Sequence, residues 1–247
     1  MKIGVFYCSY KPDLVWLIYS IQLVQKFLAG DYGITVVLEP DCRADVSLWG
    51  FSNVRYIFHT RRQADGYQHA MAVKLCADSF TDADWIFILD SDHLLLGPWS
   101  VAAAFNAGKA IIAYRPWEES LAQVRAIWAP PVETMLGLEL DRDFMLRPPF
   151  LFHRSTFSLL RARVAAVTGM SFADYAYSDV PFTTAGFLTH PYKLCDYEAL
   201  GLFGTKFQPA LYQAVPYQEA TNPFHVYWSH GQWSAALQAE LDALLAQ

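Results

Sequence analysis

The chain has 247 residues, 54% of them hydrophobic and 16% aromatic, enough apolar surface for a sizeable core in one α/β domain. Its formal net charge is −6 and its pI about 5.6, a balance that argues against non-specific nucleic-acid binding, which rests on Lys and Arg meeting phosphates. Four scattered cysteines (Cys8, Cys42, Cys76, Cys195) form no CxxC pair, so neither a cysteine zinc site nor a disulfide framework is expected; no run approaches the ~20 apolar residues of a membrane span.

In chain order, "KIGVFYC" at residues 2–8 is a nearly continuous apolar run, as expected of a strand covered on both faces. With a single lysine and so short an apolar run, the N-terminus reads as that strand and not as a signal peptide. A cytoplasmic protein is expected, touching a membrane at most peripherally. "SYKPD" follows as a loop, with Pro12 opening a helix. "LVWLIYSIQLVQKFLAG" carries apolar residues at helical spacing and ends at Gly30. Further strands are expected at residues 34–39, 54–59, 84–89 and 109–115, and a second helix at residues 64–80. This alternation implies βαβ units and a mainly parallel sheet.

The second half is less regular, and the pairs Pro130-Pro131 and Pro148-Pro149 interrupt it. Residues 155–169 read as a helix between a Ser cap and a Gly stop, another helix opens near Asp196, and "WSAALQAELDALLAQ" closes the chain as an amphipathic helix.

The stretch "DWIFILDSDHLLLGP" carries the chemistry. In open α/β sheets, ligands bind at the carboxyl ends of strands, and Asp90-Ser91-Asp92 stands at such an end. Carboxylates at i and i+2 after a strand can point into one site if the chain turns there. Mg²⁺ or Mn²⁺ is commonly held by one or two carboxylates plus substrate phosphates. The competing reading is a plain turn, since Asp is a common turn former and helix cap. His93 beside them is expected to point into or along the sheet edge and not to bind metal.

The segment "DADWIFILDSDHLLLGP" resembles the Asp-x-Asp segment of GT-A glycosyltransferases, the nucleotide-sugar transferases with a Rossmann-like N-terminal half. "VFYCSYKPDL" is similar to their first strand and nucleotide loop, and "GYQHAMAVKL" to a helix whose Gln and Lys face the sugar nucleotide. "RPPFLFHRS" and "DYEALGLFG" resemble acceptor-side segments of a little-characterised bacterial or viral branch, and "VYWSHGQW" the place where many members supply a metal-binding histidine.

The resemblance implies an α/β GT-A domain over residues 1–247, with a nucleotide-sugar half to residue 115 and a fused acceptor half from residue 116. It implies a metal-dependent transferase using Mn²⁺ or Mg²⁺ and a UDP-sugar. By position, Asp92 would bind the metal directly, Asp90 would contact ribose or bind metal through water, with Ser91 between them, and His230 would complete the shell. Ser9, Tyr10 and Asp13 would line the base and ribose pocket. Gln68 and Lys74 would sit near the donor, Arg61 and Arg62 by the diphosphate, and Glu198 or Asp196 at the reacting carbon. Bland readings stand beside these: a packing His230, a first-turn Glu198 favoured by the helix dipole, and a solvated Lys74.

The expected acceptor is a saccharide or glycolipid, with a hydroxymethylated base in DNA as the alternative. For the latter, Arg142, Arg147, Arg154, Arg161 and Arg163 could track a nucleic-acid backbone. A nucleotidyltransferase is a further reading, although "CSYKPD" lacks the glycines of a phosphate loop. So is a non-catalytic sugar-nucleotide-binding module.

Overall fold

The computed structural model describes residues 1–51, 53–62, 66–178, 193–218, 222–227 and 233–247. The chain opens with β1 (Ile3–Cys8), α1 (Leu14–Phe27), β2 (Tyr32–Leu38), β3 (Val54–Phe58), α2 (Gly66–Lys74), β4 (Trp85–Leu89), β5 (His93–Leu95) and β6 (Lys109–Pro116). It continues with α3 (Ala122–Leu136), β7 (Phe150–His153), α4 (Arg154–Thr168), α5 (Asp196–Phe207), β8 (Tyr212–Pro216), β9 (Phe224–Val226) and α6 (Ala235–Ala246), with shorter turns and strands between.

The central sheet has the order β3-β2-β1-β4-β7. Its first four strands are parallel, and β7 runs antiparallel to β4. Both apolar runs named from the sequence lie inside it: Val5, Phe6 and Tyr7 of β1 and Ile86, Phe87, Ile88 and Leu89 of β4 are fully buried. A strand covered on both faces has no reason to alternate, and these do not. The core around them is continuous from Ile3 to Phe224, so both halves of the chain share it.

Three expectations change. The strand at residues 109–115 does not join the central sheet. As β6 it pairs in parallel with β8 in a second sheet, and the fifth central position belongs to β7, which had no strand assignment. The pair Pro130-Pro131 does not interrupt the chain but lies inside α3. Prolines remove helix donors, yet α3 buries Ile127, Val132, Met135 and Leu136, and packing of that kind carries a helix through local penalties. The helix expected from a cap at Ser155 is capped two residues earlier, by His153, whose Nδ1 accepts the Ser155 N–H at 3.3 Å. Gly169 ends it as expected, in the left-handed conformation at φ 70°.

Strand succession reverses direction between β1 and β4. From β1 the chain builds outward through β2 and β3, then returns to add β4 on the other side. The last register pair there is Tyr7 with Leu89, so Cys8-Ser9 and Asp90-Ser91 leave the sheet side by side. A doubly wound sheet opens a crevice at that place.

Candidate functional site

Four strand ends bring polar residues to one edge of the sheet. Ser9 follows β1, Glu39 follows β2, Arg61 lies three residues beyond β3, and Asp90 follows β4. The ends are tied together. Ser91 donates its hydroxyl to Ser9 Oγ at 2.7 Å, bridging β1 and β4 across the crevice. Arg61 donates Nε to Glu39 Oε1 at 2.8 Å, linking the β2 and β3 ends.

The turn after β4 is held in shape from inside. Asp90 N–H donates to His93 Nδ1 at 3.0 Å, and His93 N–H returns to Asp90 O at 3.1 Å. Behind it, Tyr7 shares a hydrogen bond with Ser20 Oγ at 2.9 Å, and Ser20 donates to His93 O at 2.7 Å. This chain of buried hydroxyls anchors α1 to the turn. On the far side, Tyr227 N–H donates to Asp92 O at 3.0 Å. The predicted metal ligand His230 follows three residues on and lies outside the described residues.

Ligand atoms of Asp90, Asp92 and His93 lie within 4.8 Å of one another. The two carboxylates suit a hard divalent cation, which takes oxygen ligands and completes its shell with water and phosphate. The histidine also holds the turn. Its Nδ1 lone pair is used by the Asp90 N–H, so the neutral ring carries its proton on Nε2. Nε2 lies 3.6 Å from Asp90 Oδ2, beyond hydrogen-bond reach. Burial pushes the imidazole down to about 4, with Asp90 only partly opposing, which keeps the ring neutral near pH 7. His93 therefore braces the turn through the Asp90 backbone, and it stands in the same cluster as the two carboxylates.

The other Asp90 oxygen is taken. Lys74 Nζ is 2.5 Å from Asp90 Oδ1 and 2.8 Å from Asp196 Oδ2. It also sits over the Tyr197 ring, 4.7 Å from its centroid, and Tyr197 in turn stacks on Phe150 at 3.9 Å. Burial alone would lower the lysine, but Asp196 and Asp90 outweigh it and hold the ammonium well above its ordinary value. Against the rise that burial would cause, Lys74 and then His93 hold the Asp90 carboxyl below the usual carboxylate value. Asp196 is more enclosed: burial pushes it up, Lys74 opposes, and the Asp90 charge adds to the rise. Lys74 is thus an inward, buried residue and not a solvated one.

The remaining predicted residues divide. Ser9, Ser91, Asp90 and Asp92 come together with Lys74 and Asp196. Tyr10 joins them: burial, then Asp13, raise its phenol, and Asp92 adds to the rise. Arg61 stays on the edge through Glu39. Gln68 is buried, and its Oε1 accepts the Lys193 N–H at 3.2 Å. Arg62 lies over the Tyr177 ring. Glu198 is on the other side of α5, where its Oε2 accepts the Phe144 N–H at 2.8 Å. Several of the arginines proposed to track a backbone have internal partners: Arg161 forks onto Asp78, Arg163 donates to Leu136 O, and Arg142 pairs with Asp141. Sequence reading missed Tyr197 and Ser20; neither has a signal beyond its place at helical spacing on an apolar face.

No family model matches the chain, and no curated protein does. Among solved structures, it is similar to that of mouse xyloside xylosyltransferase 1 in its apo form, with a TM-score of 0.47 and 10% identity over 87% of this chain and 85% of that one. A likeness of that size does not bear on the chemistry, which rests on the residues above. Among the described residues, no helix is long and apolar enough to cross a membrane.

Proposed function

We propose that this protein is a metal-dependent GT-A glycosyltransferase that moves a sugar from a UDP-sugar to a hydroxyl of a saccharide or glycolipid. One observation carries the reading: Asp90 and Asp92 converge where the strand order of a doubly wound sheet reverses, with their ligand atoms inside a 4.8 Å cluster. Acidic residues at that position meet diphosphates through a cation. The order of the sequence segments that resemble GT-A enzymes supports it.

Asp90 and Asp92 would hold Mn²⁺ or Mg²⁺, with His230 as the further ligand. Bound there, the ion would offset charge developing on the departing diphosphate. Ser9, Tyr10 and Asp13 line the base and ribose side, and Arg61, steadied by Glu39, serves the diphosphate. Of the two carboxylates on α5, Asp196 belongs to the reaction because it shares Lys74 with Asp90. Glu198 is used inside the protein.

The test is transfer, or slow hydrolysis, of UDP-sugars by wild type and Asp92→Ala with Mn²⁺, alongside their melting curves. Activity should fall to background in Asp92→Ala while its melting stays cooperative. Full activity in that variant, or in excess chelator, would sink the metal mechanism.

A further inference from the structure

We propose that Lys74 is a positioning residue that serves as the internal cation of this edge, fixing Asp90 and Asp196 and setting how strongly the edge draws a divalent ion. The proposal rests on the reading of Asp90 and Asp92 as metal ligands.

The argument starts from burial. The Lys74 side chain is 7% exposed and Asp196 2%, whereas Asp90 is 30% exposed. A buried ammonium persists only where carboxylates repay its lost hydration. Here two do, and they come from different elements. Lys74 is the last residue of α2, Asp90 follows β4, and Asp196 is the first residue of α5. One side chain therefore clamps three pieces of structure, with the Tyr197 face closing over it.

The charges then define a competition. Asp90 and Asp196 share the single ammonium of Lys74, and Asp92 adds a further carboxylate to the edge. Lys74 Nζ holds Asp90 Oδ1, so a divalent ion drawn to Asp90 meets a carboxylate already shared with a positive charge. Like charges on a shared ligand repel, and each weakens the hold of the other. Asp196 moderates this by drawing the ammonium inward. Removing the ammonium should strengthen cation binding. Removing the Asp196 charge should weaken it, because Lys74 then rests on Asp90 alone.

The experiment is calorimetric or spin-resonance titration of Mn²⁺ into the full chain without nucleotide. Lys74→Met is expected to bind Mn²⁺ about tenfold tighter than wild type, about 1.4 kcal/mol, and Asp196→Asn several-fold weaker. If Lys74→Met does not fold, Asp196→Asn alone decides: unchanged or tighter binding in it overturns the proposal. Measurable wild-type binding that Lys74→Met leaves unchanged or weakens overturns the role of Lys74 while the metal reading stands. Binding by Lys74→Met but not by wild type supports Lys74 as the internal cation and overturns the metal reading of the native protein. No binding by any folded form overturns both.

Discussion

Asp196 and Glu198 stand two residues apart in the first turn of α5, both almost wholly buried, and meet opposite partners. Asp196 faces a lysine at 2.8 Å. Glu198 faces the Phe144 N–H, and the largest charge effect on it comes from another carboxylate, Asp143. Burial alone would push both groups toward the neutral acid. At Asp196 an ammonium opposes that rise. At Glu198 burial and then Asp143 drive the carboxyl well above its usual value. At equal depth the two carboxyls differ in partner, an ammonium at Asp196 and another carboxylate at Glu198.

The largest effect that would break this comparison is at Lys74. Lys74→Met leaves Asp90 and Asp196 without their cation, and breaking a buried pair in this way costs about 3–5 kcal/mol. Urea unfolding checks it, and Asp196→Asn in the same chain should recover part of the loss. A loss below about 1 kcal/mol would mean that the lysine is not the partner on which the buried carboxylates depend.

Next is the floor of the Glu198 side. A Cβ at Gly201 would lie 2.4 Å from Phe144 Cγ and 2.7 Å from its Cβ. Gly201→Ala should therefore displace Phe144, whose N–H Glu198 holds, and cost roughly 1–3 kcal/mol. Stability unchanged in that variant would show that Phe144 moves freely and that Glu198 locks nothing.

Glu198→Gln sharpens the comparison through pH. The folded Glu198 carboxyl sits above its unfolded value, so the folded state favours the protonated form. Its contribution to stability is fully present below the unfolded value, about 4.3, and is lost as pH rises through the raised folded value. Glutamine keeps an acceptor for the Phe144 N–H and never ionises. Wild type should lose stability relative to Glu198→Gln as pH rises above the ordinary glutamate range. Parallel stability profiles for the two proteins would refute a protonated Glu198.

The smallest effect is at the bridge across the crevice. Ser91→Ala removes the hydroxyl that Ser9 accepts from, a net hydrogen bond worth about 0.5–1.5 kcal/mol. Thermal unfolding would read it, and nucleotide affinity should fall more than stability if the bridge shapes the pocket.

Much of the frame is legible in the sequence. The runs around Val5 and Phe87 are apolar at every position, which is what a strand buried on both faces requires, and the Asp-x-Asp triplet follows one of them directly. The sense of β7 was not legible, because "FLFH" is four residues long and its pairing with β4 depends on residues more than sixty positions away. Nor was the helix through Pro130-Pro131, where contacts made by Ile127 and Met135 outweigh a local rule. The roles of Asp196 and Glu198 could not be told apart in sequence, since both are acidic first-turn residues suited to a helix N-terminus.

By itself the sequence determined which segments enter the interior and that two carboxylates emerge at the end of one of them, because hydrophobic periodicity and turn chemistry are local properties of the chain. Only the tertiary structure decided that β1 and β4 lie side by side where the strand order reverses, that Lys74 turns inward to Asp90 and Asp196, and that Glu198 meets Phe144 and Asp143 instead. Those outcomes depend on which charges are brought within a few ångströms of one another by elements distant in sequence, and electrostatic energy follows that distance and the surrounding solvent, not the spacing along the chain.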